Sequence, residues 1–339
     1  MKTVFWTFAY NAEKTIERAI KSILNQSCGD FLYYILDNGC TDKTGQIILD
    51  YAAKDSRIIP LREEVNIGNT MAKYRYRLFE TGDEGFFAQL DADDEYCANF
   101  LEKTLDFALS HNLDAVACGT EWISPPEIRK DIPAQTLVIQ GQDFVKCLPK
   151  YYRYTNRLWG ILFARKLLRK MKLGIPFKIS ESGGSFSDAV YAFLRFTRAE
   201  RAGLLAECLH KYYILPDSLS YKYNPYWFQN INESQLQLRS FITSRGILDD
   251  ELTNFLHIQF LTKLKYVLPR IMCADVPVEQ KLKDIEEILS SKQIDELLAL
   301  DWKTVGIYSD KEVFLKEIRQ WIDDNKVMQS KRSHDGNEV

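Results

Sequence analysis

Within the first 120 residues, short β-prone runs alternate with helix-periodic segments, and a polar cluster follows almost every run. Thr3–Ala9 reads as a strand. Residues 13–26 carry Ile16, Ala19, Ile20, Ile23 and Leu24 at helical spacing, with Asn11 at the position of an N-cap. A second strand is predicted over 31–36 and a helix over 41–53, with Ile47, Ile48 and Tyr51 on one side. A strand over 58–61, a helix over 70–79, a strand over 86–90, a helix over 98–112 and a strand over 113–118 complete the series. Strand and helix in this order predict βαβ units and a mostly parallel sheet with right-handed crossovers. Ligands of such sheets sit beyond the carboxyl ends of the strands. The residues to inspect are therefore Tyr10-Asn11, Asp37-Asn38-Gly39, Asn66-Ile67-Gly68 and Asp91-Ala92-Asp93-Asp94.

The pattern breaks at Ser124-Pro125-Pro126, which predicts a loop. Residues 140–223 are mixed. They hold a helix near 142–148, an aromatic stretch at 151–154, a basic helix near 165–172, a Gly/Ser loop at 181–188, a helix from Ala189, and β-like runs at 203–205 and 212–215. From about 233 the chain reads as helices over 233–245, 249–268, 278–290 and 310–324, followed by a polar tail, 330–339, expected to be disordered. The predicted division is 1–225, made of 1–120 and 121–225, then a helical region 226–329 and the tail.

With 46% hydrophobic and 27% charged residues in a chain of 339, this is a well-cored globular protein. A net charge of -3 argues against a nucleic-acid partner. Seven cysteines, an odd count with no C-x-x-C pair, predict neither a disulfide framework nor a zinc ribbon, and a reducing cytoplasm is the expected setting. No leader-like segment and no run of about 18 apolar residues is found. Contact with an anionic membrane surface stays open through the basic helix bearing Arg165, Lys166, Arg169, Lys170 and Lys172, although a solvated face is the simpler reading.

The acidic run Asp91-Ala92-Asp93-Asp94-Glu95 closes a hydrophobic strand. Carboxylates so close repel one another unless a cation neutralises them, and Mg²⁺ or Mn²⁺ held by one or two carboxylates plus diphosphate oxygens suits such a set. An EF-hand is excluded by Tyr96 at the sixth position. A solvated loop capping the next helix is the alternative. Asp37 at the end of the second strand could accept from a ribose hydroxyl or a base N–H, or merely form a turn. No G-x-G-x-x-G and no P-loop signature occurs, so neither a dinucleotide dehydrogenase nor a P-loop enzyme is supported.

Four ordered pieces carry a family resemblance: FAYNAEKTIERAIKSILNQS at 8–27, YYILDNGCTDKTGQIILDYAAKDSRI at 33–58, NIGNTMAKYR at 66–75 and FFAQLDADD at 86–94. Together they resemble family 2 of the inverting glycosyltransferases, and among them the bacterial capsule, lipopolysaccharide and exopolysaccharide sugar transferases. The resemblance covers 1–120 and, more loosely, 155–221. It implies an α/β fold of the GT-A type over 1–225, with a mostly parallel central sheet and a C-terminal helical region, and a nucleotide-sugar donor, most often a UDP-sugar.

Residue by residue, the resemblance sets Ala9 and Tyr10 beside the base and Asp37 at the base or ribose. Asp91 and Asp93 form a D-x-D element meeting the donor and the metal, with Asp93 as metal ligand. Lys73 stands where the family has an Arg near the base or phosphates; it keeps the charge and loses the planar fork. Asn38 and Cys40 also depart from the family's Asp-Asp-Gly-Ser. Residues 156–168 (NRLWGILFARKLL) resemble the segment leading to the acceptor site, where Trp159 could stack on a sugar or simply fill the core. Ser187-Asp188 matches the family's catalytic pair, commonly Glu-Asp, which makes Asp188 the expected general base and Glu181 the reserve; a helix N-cap is the bland alternative for Asp188. His210 could approach the diphosphate or be packed. The expected activity is inverting transfer of a hexosyl or N-acetylhexosaminyl group to a saccharide or lipid-linked hydroxyl, assisted by Mn²⁺ or Mg²⁺. A catalytically degenerate nucleotide-sugar-binding module and a nucleotidyltransferase are the alternatives.

Overall fold

The computed structural model describes residues 2–67, 84–169, 185–215 and 222–298, with single positions at 74, 77, 80, 82, 218 and 320. The chain divides into two compact units, Met1–Ser218 and Leu219–Val339. The first is built on one sheet. Its strands are β1 (Thr3–Ala9), β2 (Phe31–Asn38), β3 (Ile58–Glu63), β4 (Phe86–Gln89), β5 (Glu95–Tyr96), β6 (Ala115–Ser124), β7 (Glu127–Asp131), β8 (Leu137–Gln140), β9 (Ile161–Ala164) and β10 (Arg201–Tyr213). The order is β3-β2-β1-β4-β9-β6-β10-β5, with β7 beside β6 and β8 beside β10. Neighbours among β1 to β4 pair in parallel, as do β6 and β10; β9 runs antiparallel between β4 and β6, and β5 antiparallel on β10. This is the expected α/β architecture with a mostly parallel sheet.

The sequence explains why the sheet is covered. Along β1 the residues of both faces, Val4 and Trp6 on one and Phe5 and Ala9 on the other, have no exposure, as a parallel strand between two layers requires. Helix α1 (Ile16–Leu24) lays Ile16, Ala19, Ile20 and Ile23 against the Phe5, Tyr33 and Ile35 face. Replacing one of these isoleucines by alanine is expected to cost about 2–5 kcal/mol. Helices α2 (Thr44–Ala52) and α3 (Phe100–Ser110) complete that layer. On the opposite face Trp6 stacks on Tyr34, with ring centroids 5.6 Å apart.

Several local expectations change. α1 starts at Ile16, with Thr15 at its cap position. Asn11 is not the cap: it adopts a positive φ of 48° and its side-chain oxygen accepts from the Thr41 amide at 2.9 Å, tying the loop after β1 to the loop after β2. The two β-like runs at 203–205 and 212–215 are one strand, β10, irregular between Leu205 and His210. The Pro-Pro segment turns β6 back into β7. The helix expected near 142–148 is two, α4 (Asp143–Lys146) and α5 (Leu148–Thr155), the second holding the aromatic stretch. In α6 (Arg165–Arg169) Arg165 has no exposure and donates to the Glu84 carbonyl, so it is no part of a solvated face; Lys166 pairs with Asp114 at 2.5 Å. Helix α7 (Ser185–Phe196) begins before Ala189. The helix expected over 70–79 falls largely outside the described residues.

The second unit is helical in its described part: α8 (Trp227–Ser244), α9 (Asp250–Cys273), α10 (Val278–Leu289) and α11 (Lys292–Leu298). Asp249 caps α9 by accepting from the Leu252 amide at 2.9 Å. Leu238, Ile242, Leu264, Val267, Ile285 and Leu297 are fully buried. The helix expected over 310–324 and the tail 330–339 lie outside the described residues, Gln320 excepted.

Candidate active site

Because β1, β2 and β4 are parallel neighbours, their carboxyl ends share one edge of the sheet. Ala9 is in register with Asp37, and the Leu90 amide donates to the Trp6 carbonyl at 2.9 Å. At the end of β1, Ala9 is buried, whereas Tyr10, just beyond it, is 49% exposed.

Asp37 is buried, and Oδ1 accepts from the Cys40 amide at 2.9 Å while Oδ2 stands 3.9 Å from Arg62 Nε. Gly39, at a φ of +74°, passes so close to the Val65–Asn66 backbone that no Cβ fits there. Gly45, in the first turn of α2, likewise leaves room for the Asp37 carboxylate. Asn38 reaches the loop after β3: its amide nitrogen donates to Asn66 Oδ1 at 3.1 Å and its oxygen accepts from the Ile67 amide at 3.1 Å. Cys40 is clamped between Asn11 N and the Ala9 carbonyl, each 3.3 Å from Sγ, and burial, with Asp37 adding, pushes its thiol up to about 11. The loops after β1, β2 and β3 are thus one hydrogen-bonded assembly.

The D-x-D loop leaves β4. Thr7 Oγ1 donates to the Leu90 carbonyl at 2.8 Å, and the Tyr96 hydroxyl donates to the Gln89 carbonyl at 2.6 Å. Two polar residues of α1, Arg18 and Ser22, and Gln26 just beyond its end, spaced four apart, hold the loop from the other side. Arg18 donates to the Asp93 carbonyl, meets Glu95 at 3.4 Å and lies 3.5 Å above the Tyr213 ring. Ser22 Oγ accepts from the Tyr96 amide at 3.2 Å, and Gln26 bonds the Cys97 carbonyl and the Leu101 amide, both at 2.9 Å. Sequence reading used only the apolar positions of this helix; the Arg18–Ser22–Gln26 spacing was the available signal.

Burial raises the Asp93 carboxyl above its ordinary range. Asp94 is raised further, by burial and then by the charges of Asp91 and Asp93; its Oδ1 accepts from the Tyr213 amide at 3.0 Å, and its Oδ2 is shielded without a hydrogen bond. Three carboxyl groups in four residues at a strand end suit a hard divalent cation. No group of three or more metal-ligating side chains occurs among the described residues. A Mg²⁺ or Mn²⁺ ion taking one or two carboxylates and completing its shell with diphosphate oxygens and water needs no such group.

His210 does not face an open site. It has no exposure, stacks on Trp159 with ring centroids 4.3 Å apart, and lies beside Asp94. Burial, with the Arg157 charge adding, pushes its imidazole well below the usual range. Trp159 is 8% exposed, bridges to Gln89 at the end of β4, and sits within an aromatic group containing Trp122 at 5.7 Å and Tyr212 at 5.2 Å. Because β9 is antiparallel, its amino-terminal approach delivers Trp159 and Gly160 to the edge where its neighbours end. Arg157 lies in the same group, and burial lowers its guanidinium to about 10. Sequence reading missed Arg157. Asp188 is the fourth residue of α7, inside its first turn rather than at the cap. Lys73 and Glu181 lie outside the described residues.

Comparison with known proteins agrees with this architecture. The family model "Glycosyl transferase family 2" matches residues 7–181, more than half of the chain. The "uncharacterized glycosyltransferase YibD" of Escherichia coli (strain K12) is 27% identical over 217 residues, covering 62% of this chain and 61% of that protein. The "uncharacterized glycosyltransferase EpsJ" of Bacillus subtilis (strain 168) is 26% identical over 216 residues, 62% of this chain and 60% of that protein. The chain thus spans about three fifths of the length of these curated relatives. Among solved structures, Staphylococcus aureus TarS 1–349 in complex with UDP superposes with a TM-score of 0.66 at 17% identity, over 98% of this chain and 92% of that one, which shows a shared fold. On the matched family model and this fold, the chain belongs to glycosyl transferase family 2.

Proposed function

We propose that the protein is an inverting glycosyltransferase that moves a sugar from a nucleotide-sugar donor, a UDP-sugar, to a hydroxyl of a saccharide or lipid-linked acceptor. The observation that carries the reading is the shared edge: Tyr10, Asp37 and the Asp91–Asp93 pair follow three neighbouring parallel strands at the end where such sheets bind ligands. A similar protein, TarS, has been solved with UDP and with UDP-GlcNAc, which supports the choice of donor.

In this reading Tyr10 and the Ala9 backbone border the base, Asp37 accepts from the base or ribose, and Lys73 approaches the phosphates. Asp91 meets the donor, and Asp93 holds Mn²⁺ or Mg²⁺. When bound, the ion neutralises the diphosphate as it leaves. Arg18 keeps the loop in place by holding the Asp93 carbonyl. Asp188, ionised, takes the proton from the acceptor hydroxyl. The acceptor oxygen then bonds to the anomeric carbon on the face opposite the leaving group, the bond to the diphosphate breaks, and an α-linked donor gives a β-glycoside.

Among the departures from the family pattern, Asn38 has a structural account, since it joins two loops through both ends of its amide. No helix among the described residues is long and apolar enough to cross a membrane.

The test is a panel of nucleotide sugars incubated with Mn²⁺ or Mg²⁺, reading nucleoside diphosphate released by slow hydrolysis. Release from at least one sugar nucleotide is expected; pyrophosphate release instead would mark a nucleotidyltransferase. Asp188→Asn should cut transfer about 10²–10⁴-fold with donor binding unchanged. A fully active variant moves the base elsewhere, with Glu181 next in line.

A further inference from the structure

Beside the donor loop lies a group of buried polar atoms without internal partners. Thr120 Oγ1, Trp122 Nε1, and Nε and Nη2 of Arg157 are all shielded and make no hydrogen bond among the described residues. The register brings Thr120 opposite His210, and the Cα of Gly160 faces both. Native proteins satisfy nearly all such atoms, so a cluster of them asks for a missing partner.

Arg157 is the centre of the group. Its side chain is 8% exposed, and its guanidinium carbon lies 4.5 Å from the Trp159 ring centroid, 5.7 Å from Tyr154 and 5.8 Å from Trp122. It makes no salt bridge among the described residues. The carboxylate whose charge it feels is Asp131, and Asp131 is already committed: Arg153 Nη2 holds it at 2.9 Å. A further guanidinium, Arg129, stands 5.6 Å from the Trp122 ring. Arg153 therefore takes the nearby carboxylate, and the buried Arg157 is left without it.

Burying a charge without a partner is costly, and a guanidinium does not escape by losing its proton at neutral pH. Among the described residues none is left to pair with it, so the site suits a partner from outside. A planar fork of donors fits a carboxylate or a phosphate, both of which accept two parallel hydrogen bonds. The aromatic surroundings narrow the ligand further, because indole and phenol rings bury the apolar face of a pyranose while their polar tips bond its hydroxyls. Trp122 and Tyr212 are only half-buried, so the group opens to solvent on that side. Trp159, by its bridge to Gln89, connects it with the strand that ends in the D-x-D loop.

We propose that Arg157, Trp122 and Trp159 form an acceptor subsite for a saccharide bearing an anionic group, a carboxylate or a phosphate. The proposal rests on the glycosyl-transfer reading for the word acceptor, and its binding chemistry stands on the residues above.

The experiment titrates the full chain, followed by tryptophan fluorescence, with methyl β-glucuronide, glucose 6-phosphate, methyl β-glucoside and inorganic phosphate. One of the two anionic sugars is expected to bind at least tenfold more tightly than the neutral glycoside, and the arm that binds separates carboxylate from phosphate. Arg157→Gln should bring that sugar down to the level of the neutral glycoside. Arg157→Lys, which keeps the charge and loses the fork, should lose at least fivefold and serves in its place where the glutamine variant does not fold. UDP with Mn²⁺, titrated separately, should bind wild type and variants alike; failure of UDP to bind wild type removes the transfer reading whatever the sugars do. Equal binding of charged and neutral sugars overturns the subsite. So does an undiminished preference in the variants, or inorganic phosphate binding as tightly as either sugar, which would mean a bare anion hole.

Discussion

His210 Nε2 lies 3.4 Å from Asp94 Oδ2, and neither side chain has any exposure to water. Burial raises the carboxyl and lowers the imidazole, and both directions disfavour an ion pair, so a neutral acid facing a neutral ring is the expected state. Asp94→Asn keeps that shape without a charge. In metal-free protein it should cost no more than about 1 kcal/mol in urea denaturation. A loss of about 3–5 kcal/mol, the cost of breaking a buried ion pair, would show that the two groups are charged.

Gly45 tests the position of Asp37. Glycine-to-alanine changes inside helices usually stabilise by about 1 kcal/mol. Here the new methyl would collide with Asp37 Oδ2. Gly45→Ala should therefore lower the melting temperature and shrink the shift that UDP produces. A variant that gains stability and keeps the UDP shift would mean that Asp37 does not hold the nucleotide.

Arg18 is expected to act on the metal through the loop backbone and not by contact with the nucleotide. Arg18→Met removes the bond to the Asp93 carbonyl and the stacking on Tyr213 while keeping an apolar stem. UDP affinity in the presence of Mn²⁺ should fall about 10–100-fold, the usual effect of losing a residue that orients a metal ligand. Calorimetry with and without Mn²⁺ reads this directly; equal losses in both conditions would argue for a general folding defect.

Lys263 gives the helical unit a pH dependence. It is buried, donates to Ser234 Oγ, and burial lowers its ammonium from 10.5 to about 7. Between those values the unfolded chain binds a proton that the folded unit refuses, so this residue makes stability rise with pH from about 7 towards 10.5. Below about 7 the penalty is fully present. Lys263→Met should flatten that slope in thermal melts followed by helix circular dichroism. An unchanged slope would assign the pH dependence to other groups.

The hydrophobic periods made the alternation of β1, α1, β2 and α2 legible, because each period reports which face is buried. The antiparallel entry of β9 was not legible: ILFA is a short apolar run whose direction depends on partners far away in the chain. Asn11 was misread because a polar residue before a helix has two good uses, as a cap or as a left-handed turn residue bonding across loops. Carboxylates announced themselves at strand ends; His210 was legible only as a residue near the diphosphate or packed, and Arg157 not at all, since a lone basic residue in an apolar stretch carries no spacing signal. Their meaning lies in the rings packed around them, which only the folded sheet assembles.

The reversed strand also has a consequence for synthesis. β4 and β6 pair with β9, and β6 pairs with β10 as well, yet both later strands follow them in the chain by many residues. While the nascent chain emerges, Phe86–Gln89 and Ala115–Ser124 must wait with open hydrogen-bonding edges until Ile161–Ala164 arrives to join them. Such edges template pairing between molecules. A chain halted just short of that four-residue strand would be prone to aggregate, and β4 and β6 are joined through one sheet only when those few ladder bonds close.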